Sequence, residues 1–84
     1  MSRDERLIER VKSVPSDLTW NEMVKFLDGF GYELKKPGKT SGSARCFVAK
    51  GLPKIFLHKN HPGNVVKRYQ IRQIVSVLDG EGLL

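Results

Sequence analysis

Residues 44–58, with the sequence ARCFVAKGLPKIFLH, decide the fold of this chain. Residues 44–48 and 54–58 are short segments rich in apolar and aromatic side chains, which favours β-strands. Lys50 and Gly51 lie between the two segments and are typical of a turn. The stretch therefore predicts two neighbouring strands of an antiparallel sheet, with a further strand at residues 32–35 before it.

The period of two along a strand assigns these side chains to two faces of the sheet. On the face that we expect helices to cover, the assignment places Cys46, Val48, Ile55 and Leu57. On the opposite, open face it places Arg45, Phe47, Lys54, Phe56 and His58. Two rings, two cations and an imidazole are more than a merely soluble sheet displays, so we expect this face to bind a partner or nucleic acid. Phe47 and Phe56 are candidates for base stacking, and a cross-strand aromatic pair is the alternative.

Helical patterns lie on both sides of the predicted sheet. Thr19 and Glu22 form the capping box that starts a helix over residues 19–29, and we expect Gly29 and Gly31 to end it in the left-handed conformation. Its apolar positions are Trp20, Met23, Val24, Leu27 and Phe30. The apolar positions of a second helix, over residues 68–79, are Ile71, Ile74, Val75 and Leu78. Both stripes have helical spacing and are expected to form the core.

The N-terminal residues 3–12 predict a short helix with a narrow apolar stripe, which we expect to be an appendage rather than part of the main core. The predicted fold class is α+β, in the order helix, helix, three-stranded antiparallel sheet, helix. All 84 residues then form a single domain, with residues 1–17 as the helical appendage and residues 18–84 as the core.

Charge is distributed very unevenly along the chain. Residues 34–78 hold ten basic side chains and no Asp or Glu, whereas the rest of the chain has five basic and nine acidic residues. A concentrated positive field favours phosphate-rich polymers, and a solvated face that aids solubility is the competing interpretation. The single cysteine, Cys46, excludes an internal disulfide and the usual multi-cysteine zinc sites, and we expect it to be buried. The chain contains neither an apolar run long enough to span a membrane nor a signal peptide, so we expect a cytoplasmic protein.

The two histidines, His58 and His61, both lie in this acid-free window. With no acidic residue or second cysteine nearby, we expect neither a metal site nor another cofactor. An imidazole among cations suits acid–base cleavage of RNA, in which a ribose 2′-hydroxyl loses its proton and a cyclic phosphate forms. Lys67 and Arg68, at the start of the last helix, are natural anchors for phosphate.

Several motifs, in order, resemble the HicA family of toxins over residues 18–84. These motifs are Gly-Tyr-Glu-Leu at 31–34, Lys-Thr-Ser-Gly-Ser at 39–43, Leu-His-Lys-Asn-His-Pro-Gly-Asn at 57–64, Lys-Arg-Tyr-Gln-Ile-Arg-Gln-Ile at 67–74 and Gly-Leu-Leu at 82–84. The resemblance implies an α-β-β-β-α fold similar to double-stranded-RNA-binding domains. It also implies a messenger-RNA-cleaving ribonuclease that is neutralised by a HicB-type antitoxin covering the active site.

One position departs from the family pattern. Many members have a catalytic histidine directly after the Gly-Ser pair, and here that position is Ala44. Three explanations are open: a histidine replaced to make a toxic protein expressible, a branch in which His58 or His61 does the acid–base work, or a protein that binds RNA without cutting it. We favour the second, with His58 as the first choice for the catalytic residue. The residues expected to contact RNA are Lys39, Ser43, Arg45, Lys59, Lys67 and Arg68.

Overall fold

The computed structural model of the chain describes residues 4–35, 44–59 and 64–84. Its helices are α1 (Asp4–Lys12), α2 (Trp20–Asp28) and α3 (Arg68–Gly80), and its strands are β1 (Glu33–Lys35), β2 (Ala44–Val48) and β3 (Ile55–His58). The predicted α+β order is confirmed, and every predicted boundary lies within one residue of the observed one. From α2 onward the order is α-β-β-β-α, which is consistent with a double-stranded-RNA-binding-domain fold preceded by an extra helix.

The three strands form one antiparallel sheet in the order β1-β2-β3, so β3 is an edge strand. Phe47 of β2 lies opposite Leu34 of β1 and Ile55 of β3, and Cys46 lies opposite Phe56. Residues that oppose each other across an antiparallel pair share a face. This register fixes which side chains turn toward the helices.

The observed faces of β2 are the reverse of the predicted ones. Phe47, predicted on the open face, has 1% of its surface exposed and shares the inner face with Ile55 and Leu57. Cys46, predicted in the core, is half-buried on the open face opposite Phe56, which is 67% exposed. The two strands are separated by a six-residue connection, 49–54, so the parity of one strand does not fix that of the other. Burying a phenylalanine removes more apolar surface from water than burying a cysteine, which favours the observed choice.

The core lies between the inner face of the sheet and the helices. The ring of Trp20 packs against that of Phe47, with 5.8 Å between their centroids, and Trp20 is buried as predicted. Fully or almost fully buried around them are Val11, Leu18, Met23, Phe26, Leu27, Tyr32, Ile55, Leu57, Val66, Ile71, Ile74 and Leu78. The predicted stripes of the two main helices supply six of these fourteen buried residues, namely Trp20, Met23, Leu27, Ile71, Ile74 and Leu78.

Helix α2 begins at the predicted capping box. The Thr19 hydroxyl accepts from the backbone N–H of Glu22 at 3.1 Å, and the Glu22 carboxylate accepts from the Thr19 N–H at 2.9 Å. Gly31, with φ +90°, has the left-handed conformation predicted for the end of the helix. Gly29 does not, because its φ is −62° and it continues the right-handed turn.

Helix α1 contributes more to the core than its narrow stripe suggested. Val11 is completely buried and belongs to the main core cluster, with Leu7 and Ile8 packed against it. On the neighbouring side, the Arg10 guanidinium donates to the Glu22 carboxylate at 2.9 Å and to Asp17 at 3.1 Å. The helix is thus attached to α2 by both apolar and ionic contacts. Within the described ranges, no helix is long and apolar enough to cross a membrane.

The segments that lead into α2 and α3 run side by side. Thr19 and Val65 form an isolated antiparallel bridge, and the N–H of Val66 donates to the carbonyl of Leu18 at 2.8 Å. A hydrogen bond from the N–H of Trp20 to the carbonyl of Asn64 adds to the pairing. Consequently the first turns of α2 and α3 begin beside each other, close to the chain that leaves the end of β3.

Candidate functional site

His58 occupies the last position of β3, and the buried side chain of Gln70 holds its backbone. The Oε1 of Gln70 accepts from the His58 N–H at 2.8 Å, and its Nε2 donates to the His58 carbonyl at 3.2 Å. Gln70 is only 2% exposed and is the one polar or charged residue buried in the described part of the chain. The end of β3 is therefore attached to the first turn of α3 by two hydrogen bonds.

Ala44 and His58 are direct partners across the β2–β3 pair. The N–H and the carbonyl of His58 both point to the outer edge of the sheet, where Gln70 binds them, and so they point away from β2. In antiparallel pairs of this type, the facing side chains approach most closely. The two side chains leave the sheet on the same face. The position of the family histidine and the predicted catalytic residue thus belong to one site.

The open face around His58 is apolar near its centre. Cys46 and Phe56 form the next pair along the strands after Ala44 and His58, and Phe56 is the most exposed large apolar side chain of the described residues. Toward β1 an exposed ion pair joins the Lys35 ammonium to the Glu33 carboxylate at 3.1 Å. An exposed ring beside a histidine offers a flat apolar contact next to a group able to transfer protons.

The structure does not place Arg45 on the face of His58, so the predicted shared face is wrong. Arg45 lies opposite Leu57 on the inner face, is half-buried, and donates from Nη1 to the Ala44 carbonyl at 2.9 Å. Lys59 follows β3 and extends its ammonium over the ring of Trp20, 5.9 Å from the centroid. Both cations nevertheless belong to the end of the sheet at which His58 lies.

Lys67 and Arg68 mark the beginning of α3, as predicted. Lys67 is the N-cap residue, is exposed, and makes no side-chain capping hydrogen bond. Arg68 donates from Nε to the carbonyl of Val14 at 3.1 Å, linking α3 to the end of α1. Val14 itself has φ +49°, an unusual conformation for a β-branched residue. Arg68 therefore has a structural contact, whereas Lys67 extends from the helix start into solvent.

Three predicted site residues, Lys39, Ser43 and His61, lie outside the described residues. In the parts that the structure does describe, no group of three or more histidine, cysteine, aspartate or glutamate side chains is arranged to hold a metal ion. The site as described consists of the pair of positions 44 and 58, the adjacent open face, and cations at the same end of the sheet.

Gln70 is a residue of the candidate site that the sequence analysis missed. A signal was present, because Gln70 stands four residues before Ile74 and eight before Leu78, at a position of the buried stripe. A polar side chain at such a position must find hydrogen-bond partners inside the protein. The partner could not be named from the sequence, since it is the backbone of a strand twelve residues away.

Comparison with known proteins supports the resemblance. The family model described as HicA toxin of bacterial toxin-antitoxin matches residues 20–79, which is well over half of the chain. No curated protein and no solved structure matched the chain.

Proposed function

The chain belongs to the HicA family of toxins from bacterial toxin–antitoxin systems, and from this premise we propose that it is an RNA-cleaving toxin whose reaction takes place beside His58. The observation that carries this proposal is the direct pairing of Ala44 with His58 across the two strands. A histidine at either position would present its imidazole to the same phosphodiester. A chain that lacks the family histidine at position 44 thus retains an imidazole at the same site.

The proposed chemistry is acid–base catalysis without a metal. The imidazole of His58 accepts the proton of a ribose 2′-hydroxyl, the freed oxygen bonds to phosphorus, and the bond from phosphorus to the 5′-oxygen breaks. A second acid gives its proton to the departing 5′-oxygen, and His61 is our candidate for that role. The products are a 2′,3′-cyclic phosphate and a 5′-hydroxyl end. Cations stabilise the negative charge that develops on phosphorus. One such group typically contributes on the order of a hundredfold or more in rate, as a single hydrogen-bond donor does in other enzyme active sites.

The cations favour an RNA backbone that crosses this end of the sheet. Lys59 and Lys67 lie near the His58 end of β3 and at the start of α3. The sequence adds Lys36 and Lys39 in the connection that enters β2 at Ala44. Neutralising successive phosphates gives affinity without sequence preference. The ring of Phe56, on the His58 face, is placed to stack on a base of the bound strand.

A non-catalytic binding module of the same fold is the second candidate, and Ala44 is the observation that favours it. If position 44 carried the essential imidazole, the present chain would bind RNA or a protein partner without cutting. In both cases we propose that the physiological partner is a HicB-type antitoxin and that the RNA is messenger RNA. The exposed apolar surface at Cys46 and Phe56 supports a protein partner that covers the open face.

The test is cleavage of a defined RNA by the purified chain in the presence of a chelator. We expect cleavage that leaves cyclic phosphate ends and that disappears in His58→Ala, with the variant still folded by circular dichroism. Expression of the chain alone should slow growth, and co-expression of the antitoxin should relieve it. RNA binding without any cleavage would favour the binding module.

A further inference from the structure

Gln70 meets the backbone of His58 as a neighbouring strand would. An amide side chain offers one acceptor and one donor, and here the acceptor takes the His58 N–H while the donor binds the His58 carbonyl. Strand β3 is at the edge of the sheet, so on that side no further strand of the described chain is present to fix it. One buried side chain of α3 replaces the missing strand at a single residue.

The location of this contact is more informative than its existence. An edge strand must be kept from pairing with another chain, and charged side chains or a short strand usually prevent this at any point along the edge. Here the buried amide binds the backbone of His58, the last residue of β3, at the end of the strand, where strands commonly fray. It also comes from the first turn of α3, next to Lys67, a residue proposed to contact phosphate.

We propose that Gln70 is a positioning residue that fixes the backbone of His58 and thereby aims its imidazole across the sheet at position 44 and the bound phosphodiester. The inference rests on the proposed function for its catalytic part, while its geometric part concerns the folded chain alone. With both backbone groups of His58 held, the direction of its Cα–Cβ bond is fixed. An imidazole misplaced by about 1 Å can lose on the order of a hundredfold in rate.

The purely structural alternative is that Gln70 only prevents fraying of an edge strand. Both interpretations predict some loss of stability in variants, because the amide is buried and its partners would lose their hydrogen bonds. They differ in what happens to the imidazole. Positioning predicts that removal of the amide changes the orientation of His58 and lowers kcat, whereas an edge cap predicts lower stability with unchanged chemistry in the folded molecules.

The experiment compares Gln70→Met, which keeps the volume and removes both hydrogen bonds, with Gln70→Glu, which keeps an acceptor for the His58 N–H. Gln73→Met, at an exposed position three residues further along α3, is the matched control. By NMR we measure hydrogen exchange of the His58 amide and the nuclear Overhauser effect between the Ala44 methyl group and the His58 ring. By kinetics we measure kcat and KM for RNA cleavage under conditions where each variant is folded.

In Gln70→Met we expect the His58 amide to exchange at least about tenfold faster, the Ala44–His58 effect to weaken, and kcat to fall roughly ten- to a hundredfold with KM nearly unchanged. Gln70→Glu should lie between this variant and the wild-type chain, and Gln73→Met should match the wild type. An unchanged Ala44–His58 effect in folded Gln70→Met overturns the inference whether or not the chain cleaves RNA. If Gln70→Met fails to fold, the same comparison is made with Gln70→Glu. If the wild-type chain has no ribonuclease activity, the proposed function is overturned instead. The NMR result alone then shows whether Gln70 orients the side chain of His58.

Discussion

Ala44 lies directly opposite His58 on the open face of the sheet, at the end where β2 begins and β3 ends. Cβ atoms of such a pair are separated by about 4.5–5.5 Å, which is close enough for two side chains to act on one group. Histidine side chains at these two positions would therefore lie side by side on one face of the sheet.

The first prediction concerns Ala44→His. We expect this change to raise cleavage by at least about tenfold, because an added imidazole beside that of His58 can take part in the proton transfers, to which one positioned group typically contributes 10²–10⁴. Rates with a defined RNA, measured in a chelator, provide the test. The double variant with His58→Ala shows whether position 58 still matters.

The matched control for this prediction is Cys46→His, which adds an imidazole to the same face, one pair further along the strands. It should leave the rate unchanged. If Ala44→His creates activity that the present chain lacks and His58→Ala leaves that activity intact, our assignment of His58 is wrong, and the chemistry belongs to position 44.

The second prediction concerns the phosphate contact of Lys67. Replacing Lys67 with alanine should weaken binding to all RNA sequences about equally and reduce the slope of log affinity against log salt by roughly 0.7, the value for one phosphate on a single strand. Fluorescence anisotropy at several salt concentrations measures both quantities. Lys25→Ala, an exposed lysine on α2 outside the acid-free window, is the control. An unaltered slope in Lys67→Ala would mean that this cation only adds solubility.

The third prediction concerns pH and the contact between α1 and α2. Hydrogen bonds from the Arg10 guanidinium and the Thr19 N–H hold the pKa of Glu22 below its usual 4.5. A lowered pKa in the folded state adds stability that is fully present above the unfolded pKa and is lost as the pH falls through the folded pKa. The melting temperature of Glu22→Gln should therefore lie below that of the wild type by a constant gap above about pH 5, and the gap should close in more acidic solution.

Glu5→Gln, an exposed change on α1, serves as the control for this pH dependence and should show no such gap. Thermal melts followed by circular dichroism between acidic and neutral pH are sufficient. A gap between Glu22→Gln and the wild type that stays the same across the whole range would show that the charge of Glu22 is not what the contact uses.

The fourth prediction compares two glycines. Gly31 has φ +90° and Gly80 is the last residue of α3, and in both cases an added Cβ would meet open space. Alanine at 31 should cost about 1–2 kcal/mol, because the left-handed conformation is unfavourable for residues with a Cβ. Alanine at 80 should stabilise by about 0.4–1 kcal/mol through a less flexible unfolded chain. Urea unfolding measures both, and equal effects would contradict the role given to Gly31.

How much the sequence predicted depends on how local each feature is. The capping box at Thr19 and the apolar stripe of α3 involve neighbours in the chain, so they could be recognised and located closely. The face of Phe47 could not be derived, because it depends on the register with a strand beyond a six-residue connection. The contact between Gln70 and His58 is similar, since the position of Gln70 on the buried stripe could be recognised but its partner, the backbone of a strand edge, could not.

The candidate site shows the same division. Both strands were predicted correctly, and the pairing of Ala44 with His58 could not be predicted only because the register between the strands was unknown. The separation of Arg45 from His58 follows from that register as well, because neighbouring residues of a strand point to opposite faces.

The last prediction concerns Phe56, the exposed ring on the face of His58. With 67% of its surface exposed, Phe56 adds little to the core, so Phe56→Ala should leave the melting temperature almost unchanged. If the ring stacks on a base, the substitution removes about 1–3 kcal/mol of affinity, which is a complex with RNA roughly 5- to 150-fold weaker. Phe47→Ala should behave in the opposite way, because its buried ring supports the core and its loss costs about 3–5 kcal/mol of stability.

Tyr69→Ala is the matched control, since Tyr69 is an exposed aromatic residue, 53% accessible, on the first turn of α3 rather than on the sheet. RNA affinity of the three variants is measured at one salt concentration, alongside affinity for the antitoxin. Loss of RNA binding in Phe56→Ala alone would assign the ring to the nucleic acid. Unchanged RNA binding with a lost antitoxin complex would assign it to the protein partner, and the stacking role would be wrong. Because Phe56 and His58 share one face, an antitoxin that covers the ring would also cover the imidazole, and inhibition would then need no change in the toxin's shape.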